Sequence, residues 1–183
     1  MATLKDAIES IRNLTKELEV KIPLIITAQN VTAKSLVQDR VQETGKDSKG
    51  GQLGDYSVNK ISPFYFIGKG RKSTDGKLKR LQKEEKKISY SEFRALDGKQ
   101  NSHVDLTFSG RMWRGIGLSS TNTSNNRTTV VVAPKDTYTD KVAESNSKRY
   151  GNFLTLTDNE EITLEEDVEF DITTIINTRL NAL

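Results

Sequence analysis

Leu118-Ser-Ser-Thr-Asn-Thr123 and Arg127-Thr-Thr-Val-Val-Val-Ala133 flank Ser124-Asn125-Asn126. Val130-Val131-Val132 is the strongest strand signal in the chain, because β-branched side chains suit a pleated, half-buried surface. Asn tolerates positive φ, so Asn125-Asn126 is good turn chemistry for a hairpin. The stretch predicts two antiparallel strands over 118–123 and 127–133, the second closed by Pro134. The long segments on either side read as helix, so this hairpin decides between an all-α and an α+β chain.

Just before it, Leu106-Thr-Phe-Ser-Gly-Arg-Met-Trp-Arg-Gly-Ile-Gly-Leu118 holds the only Trp, one of the two Met, three Gly and two Arg. Ser109 can cap a helical turn through Arg111 to Ile116. Trp and Arg together are enriched where protein interfaces bury surface. Neither residue transfers protons at neutral pH, since Arg stays charged and Trp only donates one hydrogen bond. The segment points to assembly before catalysis, with Arg111, Trp113 and Arg114 as candidate contacts to another subunit or partner. Simple core filling is the competing reading for Trp113.

At the N-terminus, Leu4, Ile8, Ile11, Thr15, Leu18 and Ile22 fall at alternating four- and three-residue steps, one stripe of an amphipathic helix. Pro23 is expected to kink or restart it. A second helical run then passes through Leu24, Ala28, Val31, Leu36 and Val41 to a left-handed stop at Gly45. Lys46 to Tyr56 reads as an exposed Gly-rich loop. Ile61-Ser-Pro-Phe-Tyr-Phe-Ile67 is expected to be a short edge strand or an anchored extended segment, because Pro63 removes a ladder donor. Ser89-x-x-Glu92 is a capping box before a short helix ended by Gly98. Asp136 to Tyr150 reads as a polar helix. Thr157-x-x-Glu160 is a second capping box, opening a helix with Leu164, Val168, Ile172, Ile175, Ile176 and Leu180 on one face. The expected class is α+β, with N- and C-terminal helices packed against a small antiparallel hairpin sheet and long polar loops.

The 183 residues suit one domain over 1–183. Only 34% are hydrophobic and mean hydropathy is −0.60, so the core must be modest or completed against partners. Net charge is +3, but its distribution is uneven. Lys60 to Lys87 carries ten Lys or Arg against three acids, and Asp158 to Asp171 carries eight acids and no base. Opposite charge in two regions of one subunit suits head-to-tail contact between copies, while two solvated surfaces explain the same pattern more simply. The segment 68–87 is expected to be an exposed basic loop leading to a weak helix. Lys69, Arg71, Lys72, Lys77, Lys79 and Arg80 are its candidate contacts to DNA or to an acidic partner, with Tyr65, Phe66 and Tyr90 nearby for stacking.

Several chemistries find little support. There is no Cys, hence no disulfide, thiolate nucleophile or cysteine metal site. One His cannot build a zinc site. Ser102, His103 and Asp105 are close in sequence, but triads are defined by geometry. Gly68-Lys-Gly-Arg-Lys-Ser-Thr74 lacks the spacing of a phosphate loop. No cofactor is implied. No stretch approaches the roughly 20 apolar residues of a membrane span, and the N-terminus lacks a signal peptide's apolar run. The chain reads as soluble and not secreted by the usual route.

Several blocks taken in order resemble a known family. They are Ala33-Lys-Ser-Leu-Val-Gln-Asp-Arg-Val-Gln-Glu-Thr-Gly45, Gly50-Gly-Gln-Leu-Gly-Asp-Tyr-Ser57, Ile88-Ser-Tyr-Ser-Glu-Phe-Arg-Ala-Leu-Asp-Gly98, Val104-Asp-Leu-Thr-Phe-Ser-Gly-Arg-Met-Trp113 and Arg149-Tyr-Gly-Asn-Phe-Leu-Thr-Leu-Thr-Asp-Asn-Glu160. This order resembles the head–tail connector, or tail-completion, proteins of tailed bacteriophages, including the virion-morphogenesis type and the crAss-like short-tailed group. Leu106 to Met112 and Phe153 to Glu160 stand where that family has its signature blocks. The basic segment 68–87 and the hairpin tip are longer than a minimal member needs. The resemblance implies a structural, non-enzymatic α+β subunit in the virion neck, made in the host cytoplasm. It implies a homo-oligomeric ring of twelve or six copies against the portal and other neck or tail proteins, lining or sealing a DNA channel, with no membrane partner. A small nucleic-acid-binding module built on 68–87 is the alternative.

Overall fold

The computed structural model describes residues 4–107, 109–124 and 127–181. The elements in chain order are α1 (Leu4–Asp39), a π-helical turn (Arg40–Thr44), a 3-10 turn (Pro63–Phe66), α2 (Lys72–Lys83), α3 (Tyr90–Leu96), α4 (Arg111–Gly115), β1 (Ile116–Ser124), β2 (Arg127–Pro134), α5 (Thr137–Tyr150) and α6 (Asp158–Leu180). The class is α+β, with terminal helices and a two-stranded antiparallel sheet. Within the expected span 1–183 the chain divides into two compact units. One joins α1 to the chain from Thr107 onward, and the other is Arg40–Leu106.

In the first unit, β1 and β2 pair from Ile116↔Pro134 to Ser124↔Arg127, with an irregularity in register between Leu118 and Ser120. The Asn125-Asn126 tip lies outside the described residues, as does Phe108. Only Ile116 and Gly117 of β1 are buried, and Ser119–Ser124 form a solvated ribbon. Two strands alone are marginal in water, so the base of the hairpin depends on helices: α1 packs on both strands and on α6, and α5 packs on α4 and β2. The small core gathers Val37, Met112, Trp113, Ile116, Ala143 and Phe153. Both α5 and α6 have side-chain caps. Asp136 accepts from the Thr139 amide, and Thr157 and Glu160 form the expected capping box.

Of the kink or restart expected at Pro23, the restart does not occur: α1 runs as one helix from Leu4 to Asp39. Pro removes one backbone donor. Packing on both sides offsets that loss: Glu17 pairs with Arg179 before the proline, and Ile26 to Val37 face the hairpin and α6 after it. The helix loosens only at Arg40–Thr44 and stops at Gly45, whose φ of +64° and contact with His103 leave no room for a β-carbon.

The second unit is built on an aromatic cluster. Phe66 stacks on Phe93 at 4.7 Å, and Tyr90 meets Tyr56 edge-on at 5.3 Å. Leu53, Leu78, Ile88 and Val104 complete the core. The segment 61–67 is not a strand. Ile61 makes one isolated bridge to Ile88, and Pro63 then starts a 3-10 turn, where its fixed φ is favoured. The segment 68–87, expected as a loop before a weak helix, is mostly the helix α2. Thr74 and Leu78 give α2 a buried face. The Ser89/Glu92 capping box opens α3 as expected.

Candidate functional site

Arg111, Trp113 and Arg114 share one helical turn, and that turn separates them. Arg111 and Arg114 are three residues apart and lie on one face, while Met112 and Trp113 turn inward. Trp113 is only 3% exposed and meets Phe153 edge-on at 6.1 Å. Its indole Nε1 finds no hydrogen-bond partner among the described residues. Of the two readings of Trp113, this burial favours core filling in its own unit. Arg111 and Arg114 are exposed but engaged. The Arg111 guanidinium lies 3.8 Å over the Tyr138 ring, and Arg114 Nη1 donates to the Ser109 carbonyl at 3.0 Å.

Lys69, Arg71, Lys72, Lys77, Lys79 and Arg80 are all exposed, in or just before α2. Arg80 pairs with Glu84 at 3.0 Å, and Arg71 lies 3.7 Å from Asp97. Lys69, Lys72, Lys77 and Lys79 make no ion pair among the described residues. The preceding 3-10 turn leaves Phe64 64% and Tyr65 58% exposed, their rings edge-to-face at 6.0 Å. The unit thus carries four ammonium groups without an ion pair among the described residues, close in sequence to two exposed aromatic rings.

Asp97, at the end of α3, anchors this surface. Its buried carboxylate accepts the Arg71 backbone N–H at 2.7 Å and the Thr74 hydroxyl at 2.8 Å, and Lys99 lies 3.1 Å away. From the end of α3 it caps the start of α2, and α2 has no side-chain cap from its own N-cap residue, Arg71. Burial pushes the Asp97 pKa up, but the Arg71 and Thr74 hydrogen bonds and the Lys99 charge outweigh it and hold the carboxyl at about 2.

The feature sequence reasoning missed is a groove of about 950 Å³ in the first unit. One wall is α1 from Ile26 to Val37, another is the Val130 to Val132 stretch of β2, and the third is α6 from Glu161 to Thr173. Leu164, Val168 and Ile172 face it and are only half-buried, although a helix stripe of this kind normally closes against its own core. Trp113 lines it too. Glu161, Glu165 and Glu169 stand at its α6 side. Across from them Lys34 has its pKa lowered, first by burial and then by the Lys135 charge. The apolar stripe on α6 was legible in the sequence; that the described residues leave it half-covered was not.

No protein family, no curated protein and no solved structure matches this chain.

The remaining polar clusters have structural roles. Ser102 and His103 stay adjacent, and His103 Nε2 lies 3.0 Å from the Gln42 carbonyl. Asp105 turns away from them: its carboxylate binds the Tyr56 hydroxyl and Arg94 Nη2, each at 2.5 Å. Arg94 also donates to the Gln100 carbonyl and stacks on Tyr56 at 4.3 Å. Burial, then the hydrogen bond to Asp105, raises the Tyr56 pKa well above the usual phenol range. Among the described residues no group of three metal-ligating side chains gathers, and no helix is long and apolar enough to cross a membrane.

Proposed function

We propose that this protein is a structural subunit of a tailed-phage neck, assembling as a homo-oligomeric ring between portal and tail. One observation carries the assembly reading. The helices α1 and α6 together span 59 residues, yet bury only Val37 and Glu160. Long apolar stripes left half-covered in a single chain are surfaces for other chains. The phage setting rests on the sequence resemblance, which names a family whose subunits form such rings. The direct test is to tag the chain and image purified particles. Density for a ring of this subunit between capsid and tail is the expected result, and particles that lack the protein while packaging and infecting normally would sink the reading.

A nucleic-acid-binding module is the second reading, favoured by exposed Phe64 and Tyr65 preceding the lysine-rich helix α2. Lysine contacts to phosphate make binding salt-sensitive. On this reading Lys72→Gln/Lys77→Gln/Lys79→Gln abolishes DNA retention at low salt. Equal retention by wild type and triple variant in an electrophoretic shift assay would exclude it.

A further inference from the structure

We infer that the N-terminal arm of α1 in one copy seats in the α1/β2/α6 groove of a second copy. The inference deepens the assembly reading and rests on it in one respect, that copies of this chain associate.

Near its C-terminal end α6 meets α1 through Arg179 Nε and Glu17, at 2.7 Å. Leu180 ends α6, and Ile11 borders the same recess. Leu4–Glu9 therefore continue α1 past this junction as an arm, and the exposed side chains of Ile11, Arg12 and Lys16 prolong its surface alongside the junction. The arm carries an uncovered apolar stripe: Leu4 is 79% exposed, Ile8 45% and Ile11 57%. Lys5, Arg12 and Lys16 flank it with a single acid, Glu9, among them.

The groove offers the complementary surface. Leu164, Val168 and Ile172 line it, and Glu161, Glu165 and Glu169 stand beside them. Arg12 and Lys16 are four residues apart, as are Glu161 and Glu165, so an arm antiparallel to α6 sets Lys16 against Glu161 and Arg12 against Glu165. Lengths also agree. At 1.5 Å per residue, Leu4–Lys16 and Glu161–Thr173 each span about 18 Å. The arm cannot reach its own groove, because Ile8 and Ile26 lie on one continuous helix about 27 Å apart. An arm seated in this groove therefore comes from another copy. Such a contact joins two different patches, which builds rings when the rotation closes.

Two properties of the chain make the test direct. It has no Cys, and its single Trp113 lines the groove. Full-length Ile8→Cys and Val168→Cys variants, purified separately and mixed at high concentration, should give a bismaleimide product at twice the subunit mass. Neither variant alone should do so. Trp113 emission should change on dilution of the wild type and stay constant in Ile8→Asp, with unchanged circular dichroism. Glu165→Arg should weaken association several-fold, and adding Arg12→Glu should restore it. Products from Ile8→Cys alone, or no product in the mixture, would overturn the inference. The particle experiment reads separately. A subunit found in the neck without the mixed cross-link removes the arm contact and keeps the ring, whereas the cross-link without incorporation does the reverse.

Discussion

Trp113 and Arg94 are two of the largest side chains in the molecule, and both are enclosed. Trp113→Ala leaves a void beside Phe153 and should cost about 3–5 kcal/mol. Urea unfolding followed by circular dichroism will measure it, and a loss near zero would mean that Trp113 lies open to solvent after all. Arg94 is 1% exposed and holds the buried Asp105 carboxylate. Arg94→Met strands that charge and should destabilise the protein by about 3–5 kcal/mol, read as a lower urea midpoint. Little of this was visible in the sequence. The composition around Trp113 marked it as important, but core and interface demand the same residue types. Arg94 and Asp105 stand eleven positions apart on different elements, so no local spacing rule connects them.

At the scale of elements, the second unit fastens its basic helix through one acid. Asp97 has a folded pKa near 2 against about 3.9 in an unfolded chain. A depressed carboxylate pKa contributes stability above the unfolded value and loses it as pH falls through the folded one. The stability gap between wild type and Asp97→Asn should therefore hold steady from pH 7 to about pH 4 and narrow toward about pH 2. Thermal melts across that range decide it, and a gap independent of pH would remove the ionised carboxylate from the account. Hydrogen exchange should also quicken at the start of α2 in the variant. Element starts were well read from sequence where the signal is local. Ser89/Glu92 and Thr157/Glu160 are each three residues apart, and both capping boxes form. At Pro23 and in the segment 68–87 a neighbour in space settles how far the helix runs: Arg179 and the hairpin for α1, Asp97 for α2.

At the scale of the whole molecule, apolar surface exceeds what one chain covers. On the proposed assembly, association buries it in the folded state alone, so mass action should raise the melting temperature with protein concentration. A melting temperature constant over a hundredfold dilution series would argue that the stripes on α1 and α6 stay bare. Composition, the hairpin between helical stretches, the capping boxes and the amphipathic stripes were determined by the sequence alone, because each rests on contacts within a few residues. Which way Trp113 turns, how Asp97 starts a distant helix, and where α6 stops along α1 are decisions of the tertiary structure. They depend on which elements meet, and that is set by the packing of the chain against itself. The groove belongs to the same class. Periodicity says that Leu164, Val168 and Ile172 share a face, and only the packed unit shows that its described residues leave that face half-covered.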